Sequence, residues 1–100
     1  MKEADFIMNA ETEFLKYLKS KFPLIHLSNV FFRDVHYGVM AYLVDHGMKM
    51  KYQDAEKVAR EVVAALERKQ ILKNIDHQSW LVNYPEFALP RVEKKAVTAA

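Results

Sequence analysis

The clearest periodicity in the chain lies between Gln53 and Gln70. Ala55, Val58, Ala59, Val62, Val63 and Leu66 recur at steps of three and four and share one side of a helix. Asp54, Lys57, Arg60, Glu61, Ala64 and Arg68 fall on the other side. Asp54 suits the helix start, and Glu56 and Arg60, four apart with the acid first, support one another. The pattern predicts a helix over 53–70.

Two further helices are expected before it. Between Ala10 and Phe22, Phe14, Leu15 and Leu18 form an apolar stripe with Tyr17 and Phe22 at its margins. Asn9 or Thr12 can cap this segment, acids Glu11 and Glu13 open it, bases Lys19 and Lys21 close it, and Pro23 stops it. Leu24 to Leu27 is a short apolar link. Ser28 is then expected to cap a second helix running to about His46, with Gly47 as its left-handed stop. Val30, Phe31, Phe32, Val35, Val39, Met40, Tyr42, Leu43 and Val44 go most of the way around it, which marks a central, buried helix. Gly38 either admits a close neighbour or divides that helix in two. Met48 to Tyr52 alternates apolar and basic residues and reads as a loop or one short strand.

After residue 70 the period changes. Ile71 to Ile75 and Trp80 to Tyr84 are short runs bounded by polar residues, and Asp76 opens the intervening Asp-His-Gln-Ser. A β-hairpin joining 71–75 to 80–84 follows, closed by Pro85, with 86–90 continuing extended. The last ten residues, RVEKKAVTAA, have no clear apolar face and read as a flexible tail. The expected organisation is one domain over 1–90 and a tail over 91–100. The expected fold class is α+β, three helices followed by a C-terminal hairpin. A small all-α bundle with an irregular C-terminal arm is the alternative.

Composition narrows the chemistry. Two glycines and three prolines are too few for the many turns of an all-β sandwich. The absence of cysteine removes disulfides, thiolate metal sites and cysteine nucleophiles together. No apolar run approaches the roughly 18–20 residues that span a membrane, and residues 1–10 lack the pattern of a secretory signal. A cytoplasmic location is expected.

His26, His36, His46 and His77 form no HxxxH or HExxH pair, and a ten-residue step turns His46 about 80° from His36 on a helix. Ser20, Ser28 and Ser79 lie in no nucleophile elbow, and two glycines cannot build a phosphate-cradling loop. No enzymatic activity, cofactor, metal or small-molecule site is therefore expected.

Three helices and then a hairpin whose first strand begins directly after the third helix is an order that resembles the winged helix-turn-helix superfamily. The residues that carry the resemblance run from Ala55 to Leu72, AEKVAREVVAALERKQIL. The resemblance implies a DNA-binding module, such as a transcriptional regulator, whose third helix enters the major groove and whose hairpin touches the backbone or the minor groove. Gln53, Lys57, Arg60, Ala64 and Arg68 would then face the groove. Lys51 and Lys73, with Lys49, would add charge, and His77, Gln78 and Ser79 would form the hairpin tip, which carries no Lys or Arg.

Charge favours a second reading. The net charge of +2 comes from the tail, since residues 1–90 hold twelve Lys/Arg and twelve Asp/Glu. A neutral domain is a weak electrostatic partner for nucleic acid, and this favours a protein-interaction or oligomerisation module. Its contact surface would be the Trp80, Val82 and Tyr84 strand or the acidic N-terminal segment. A homodimer is compatible with either reading.

Overall fold

The computed structural model describes residues 2–22 and 24–88. Four α-helices and a three-stranded antiparallel sheet make an α+β fold, so the helix-rich domain ending in a hairpin is present. The elements are α1 (Lys2–Asn9), α2 (Glu11–Lys21), β1 (Asn29–Phe31), α3 (Phe32–Asp45), α4 (Tyr52–Arg68), β2 (Leu72–Asp76) and β3 (Ser79–Val82), then one 3-10 turn at Pro85–Phe87. Residues 91–100, expected to form a tail, lie outside the described residues.

Helix α1 is absent from the sequence-based expectation. Its stripe is only two turns long, but Ala4 and Ile7 are buried, and the helix packs against α4. Eight residues are too short to be helical alone, so tertiary packing holds α1 in place. Helix α2 starts one residue later than Ala10, and no side chain caps it.

The expected second helix is replaced in its first turn by a strand. Ser28 does not cap a helix. Its Oγ donates to the Ile25 carbonyl at 2.6 Å, closing a turn. Leu27 N–H donates to the Val82 carbonyl at 2.7 Å, and Val82 N–H to the Ser28 carbonyl at 2.9 Å. These bonds lead into β1, where Asn29, Val30 and Phe31 lie opposite Leu81, Trp80 and Ser79. The free edge of β3 offers residues 28–31 a complete set of backbone partners, and Val30 and Phe31 favour strand.

Gly38 leaves α3 unbroken. A Cβ there would overlap the Leu18 side chain, so the glycine lets α2 and α3 approach. Gly47, at φ +80°, ends α3 in the left-handed conformation. Met48 to Lys51 then forms no strand.

The sheet order is β1-β3-β2. Val30, Trp80, Val82 and Leu72 share the inward side of the sheet and are buried. Ile71, Lys73 and Ile75 do not alternate as one strand face. Both Ile71 and Leu72 are buried, and Ile75 sits in a bulge between the Asn74–Trp80 and Asp76–Ser79 pairs, 51% exposed. Residues 85–87 turn rather than run extended, which buries Phe87 beside Tyr84, ring centroids 4.7 Å apart. The core joins Phe14, Leu15 and Leu18 of α2, Val35, Val39 and Leu43 of α3, and Val58, Val62 and Leu66 of α4 to the inward side of the sheet. Among the described residues no helix is long and apolar enough to cross a membrane.

Candidate nucleic-acid interface

Burial of Ala55, Val58, Ala59, Val62, Val63 and Leu66 fixes the rotation of α4 and turns Gln53, Lys57 and Arg68 to solvent. Lys51, just before the helix, is also exposed. The side chains of Lys51, Lys57 and Arg68 have no ion pair or hydrogen bond among the described residues. Ala64, half-buried, lies between Lys57 and Arg68 on the same side.

Helix α1 borders this face along its C-terminal half. Asp5 and Met8 line a shallow groove with Glu61, Ala64, Ala65, Arg68 and Lys69. An acidic side chain therefore stands beside Arg68. Lys69 is held by Glu11, Nζ to Oε1 at 2.5 Å.

The other border of the face runs through Arg60. Its Nη2 donates to Glu56 Oε2 at 3.0 Å, and its guanidinium carbon lies 4.3 Å from the centre of the Phe32 ring. Phe32 N–H in turn donates to the Gln78 carbonyl at 2.9 Å. Arg60, Phe32 and Gln78 thus join the middle of α4 to the hairpin tip. Arg60 is already engaged by a carboxylate and a ring, unlike Lys57.

The tip itself is built by Asp76. Its Oδ1 accepts from Gln78 N–H and from Ser79 Oγ, each at 2.9 Å, which fixes the two-residue turn at His77 and Gln78. The Gln78 N–H bond first, and the Ser79 hydroxyl second, hold the Asp76 carboxyl below its ordinary range. His77 and Gln78 are exposed at the tip. Trp80 Nε1 donates to Glu67 Oε2 at 3.0 Å and ties β3, two residues past the tip, to α4.

Two expectations need correction. Lys73 pairs with Leu81 on the side of the sheet opposite Trp80 and Val82, so it points away from α4 and does not join its bases. Trp80 and Val82 are 6% and 2% exposed, and half-buried Tyr84 packs on Phe87, so Trp80 and Val82 offer little surface to a partner. Those side chains fill the sheet–helix core because their strand face is the inward one.

Three of the four histidines are used structurally. Buried His36 has Nε2 3.0 Å from the Tyr52 carbonyl, His46 Nδ1 lies 2.8 Å from the Tyr42 carbonyl, and His26 Nδ1 accepts the Tyr84 N–H at 3.0 Å. Among the described residues no three His, Asp or Glu side chains gather as a metal site would need.

Residues that sequence reasoning did not select also meet the tip. Phe31, Phe32 and Arg33 line a groove with Asp76 and Gln78. The one signal for them is that Arg33 is the sole base between Lys21 and Lys49. Comparison with known proteins returns no match, whether to a protein-family model, a curated protein or a solved structure.

Proposed function

We propose that this domain is a winged-helix-type module that binds duplex DNA, with α4 in the major groove and the hairpin as its wing. The observation that carries the reading is the continuity of the α4 face with the hairpin tip through Arg60, Phe32 and Gln78. From α2 onward the order helix, strand, helix, helix, strand, strand, with β1 completing the sheet, supports the same reading. Helix α4 is about 25 Å long at 1.5 Å per residue, and a major groove about 12 Å wide admits a helix.

In this reading Lys57 and Arg68 neutralise phosphates, and Gln53 reaches base edges from the first turn of α4. Lys51 adds charge where the helix enters. Arg60 acts as a strut: its charge is largely offset by Glu56 and its plane is stacked on Phe32. Glu61 and Asp5 oppose phosphate at the C-terminal half, so binding is weak for a monomer and is strengthened by a dimer.

The test is titration of a random-sequence duplex of about 20 base pairs at two salt concentrations, with the oligomeric state measured alongside. Binding that falls steeply with salt is expected, because each phosphate contact releases counterions. No binding at low salt overturns the proposal. That result would favour a protein-contact module, for which the exposed apolar side chains Leu27, Phe31 and Ile75 are the observation.

A further inference from the structure

We infer that Arg33, in the first turn of α3, makes the phosphate contact at the hairpin end of this surface, a role that no residue of the hairpin fills. The inference rests on the DNA-binding reading and assigns it a contact outside α4 and the wing.

The hairpin tip cannot attract a phosphate by itself. Asp76, His77, Gln78 and Ser79 include no Lys or Arg. Asp76 is kept anionic by the Gln78 N–H and Ser79 hydroxyl that it accepts, so a phosphate near the tip would meet a like charge. Lys73 lies on the far side of the sheet. Arg60, the nearest base of α4, is committed to Glu56 and Phe32.

Arg33 is the remaining cation. It is exposed, and its side chain has no ion pair or hydrogen bond among the described residues. It shares one groove with Phe31, Phe32, Asp76 and Gln78. Two constraints set its position. The Phe32 N–H to Gln78 carbonyl bond clamps the start of α3 to the tip. Burial of Val35, His36 and Val39 turns the core side of α3 inward, which leaves Arg33 and, one turn later, the 48% exposed Tyr37 on the outer side. Phe32, next to Arg33 in the chain, stacks under Arg60 of α4, so the first turn of α3 that carries Arg33 borders the α4 face. Its planar fork of donors matches a phosphate in a way an ammonium does not. The acids facing this position are Asp34, adjacent in the chain, and Asp76. Neither forms an ion pair with Arg33.

The experiment compares the 100-residue chain with Arg33→Ala, Arg33→Lys and Lys16→Ala, the last an exposed base on α2. Each is titrated with the random-sequence duplex of about 20 base pairs at two salt concentrations, after thermal melts establish that all are folded. Arg33→Ala should weaken low-salt binding on the order of threefold to tenfold and lower the salt slope by about one. Arg33→Lys should keep the slope and weaken binding less, and Lys16→Ala should change neither. If the wild-type chain binds but Arg33→Ala leaves both affinity and slope intact, the Arg33 contact is overturned and the DNA reading stands. If the wild-type chain does not bind at low salt, the DNA reading falls and takes the Arg33 contact with it.

Discussion

Gln70 ends α4 as Gly47 ends α3. Both residues are left-handed, with φ +63° and +80°. Gly47 N–H donates to the Val44 carbonyl and Met48 N–H to the Leu43 carbonyl, at 2.9 and 2.7 Å. Gln70 N–H and Ile71 N–H donate to Glu67 and Leu66 in the same pattern, both at 2.9 Å. Each helix thus stops with the paired bonds of a Schellman motif. Only one of them uses the residue that reaches this conformation without steric cost.

The difference makes opposite substitutions informative. Gln70→Gly removes a Cβ from the left-handed conformation and keeps the carbonyl that accepts Asn83 Nδ2 at 2.8 Å. It should stabilise the fold by about 0.5–1 kcal/mol. Gly47→Ala should cost about 1 kcal/mol although nothing crowds its Cβ position. Urea unfolding of the two variants measures both; equal signs would refute the strain argument.

Tyr42 should tolerate loss of its hydroxyl. Its ring is 1% exposed, packed by Phe14 at 5.2 Å, Tyr17 at 5.3 Å and His46 at 4.3 Å, while its Oη has no hydrogen-bond partner among the described residues. An unsatisfied buried hydroxyl costs about 1–3 kcal/mol. Tyr42→Phe keeps the ring and should raise stability by about 1 kcal/mol. A loss of that size in the same unfolding measurement would reveal a partner for the hydroxyl.

At Gly38 two effects compete. Alanine gains about 1 kcal/mol of helix propensity, but its Cβ would strike Leu18, which is 2% exposed and has little room to move. Overpacking of this kind costs about 1–3 kcal/mol. Gly38→Ala should therefore destabilise, and should do so less in a Leu18→Ala background. A double-mutant cycle with no coupling would show that Leu18 is not the obstacle.

Alkali should loosen the α2–α3 contact. Burial first, and then the hydrogen bond from Tyr17 Oη to Asp45 Oδ2 at 2.8 Å, push the Tyr17 phenol up from 10.0 to about 12. The folded state then holds a proton that the unfolded state gives up, so this stabilisation is complete below about pH 10 and is lost as the pH rises toward about 12. The thermal midpoint of the wild type should fall across that window, and Tyr17→Phe should flatten the fall. An unchanged slope in the variant would assign the loss to other groups.

Sequence by itself determined the elements that local pattern dictates. The three- and four-residue spacing from Ala55 to Leu66 defined α4 and its outward bases, because one unbroken stripe has only one side to bury. Gly47 marked the end of α3, because few other residues take a left-handed conformation cheaply. The two short apolar runs around Asp76 marked a hairpin.

Tertiary structure decided what depends on partners distant in the chain. Residues 29–31 could have begun a helix, but the edge of β3, some fifty residues on, pairs with them as β1. Helix α1 exists because Ala4 and Ile7 find a surface on α4. The bulge at Ile75 sets the hairpin's register, and the inward face of β3 buries Trp80 and Val82 rather than offering them to a partner. Arg33 meets the hairpin tip through one backbone bond from Phe32 to Gln78, across forty-six positions of sequence. A local pattern records which side of an element is apolar. It does not record which distant backbone will satisfy an N–H or a carbonyl, and those unpaired groups decided where this chain placed β1 and, through Phe32 and Gln78, Arg33.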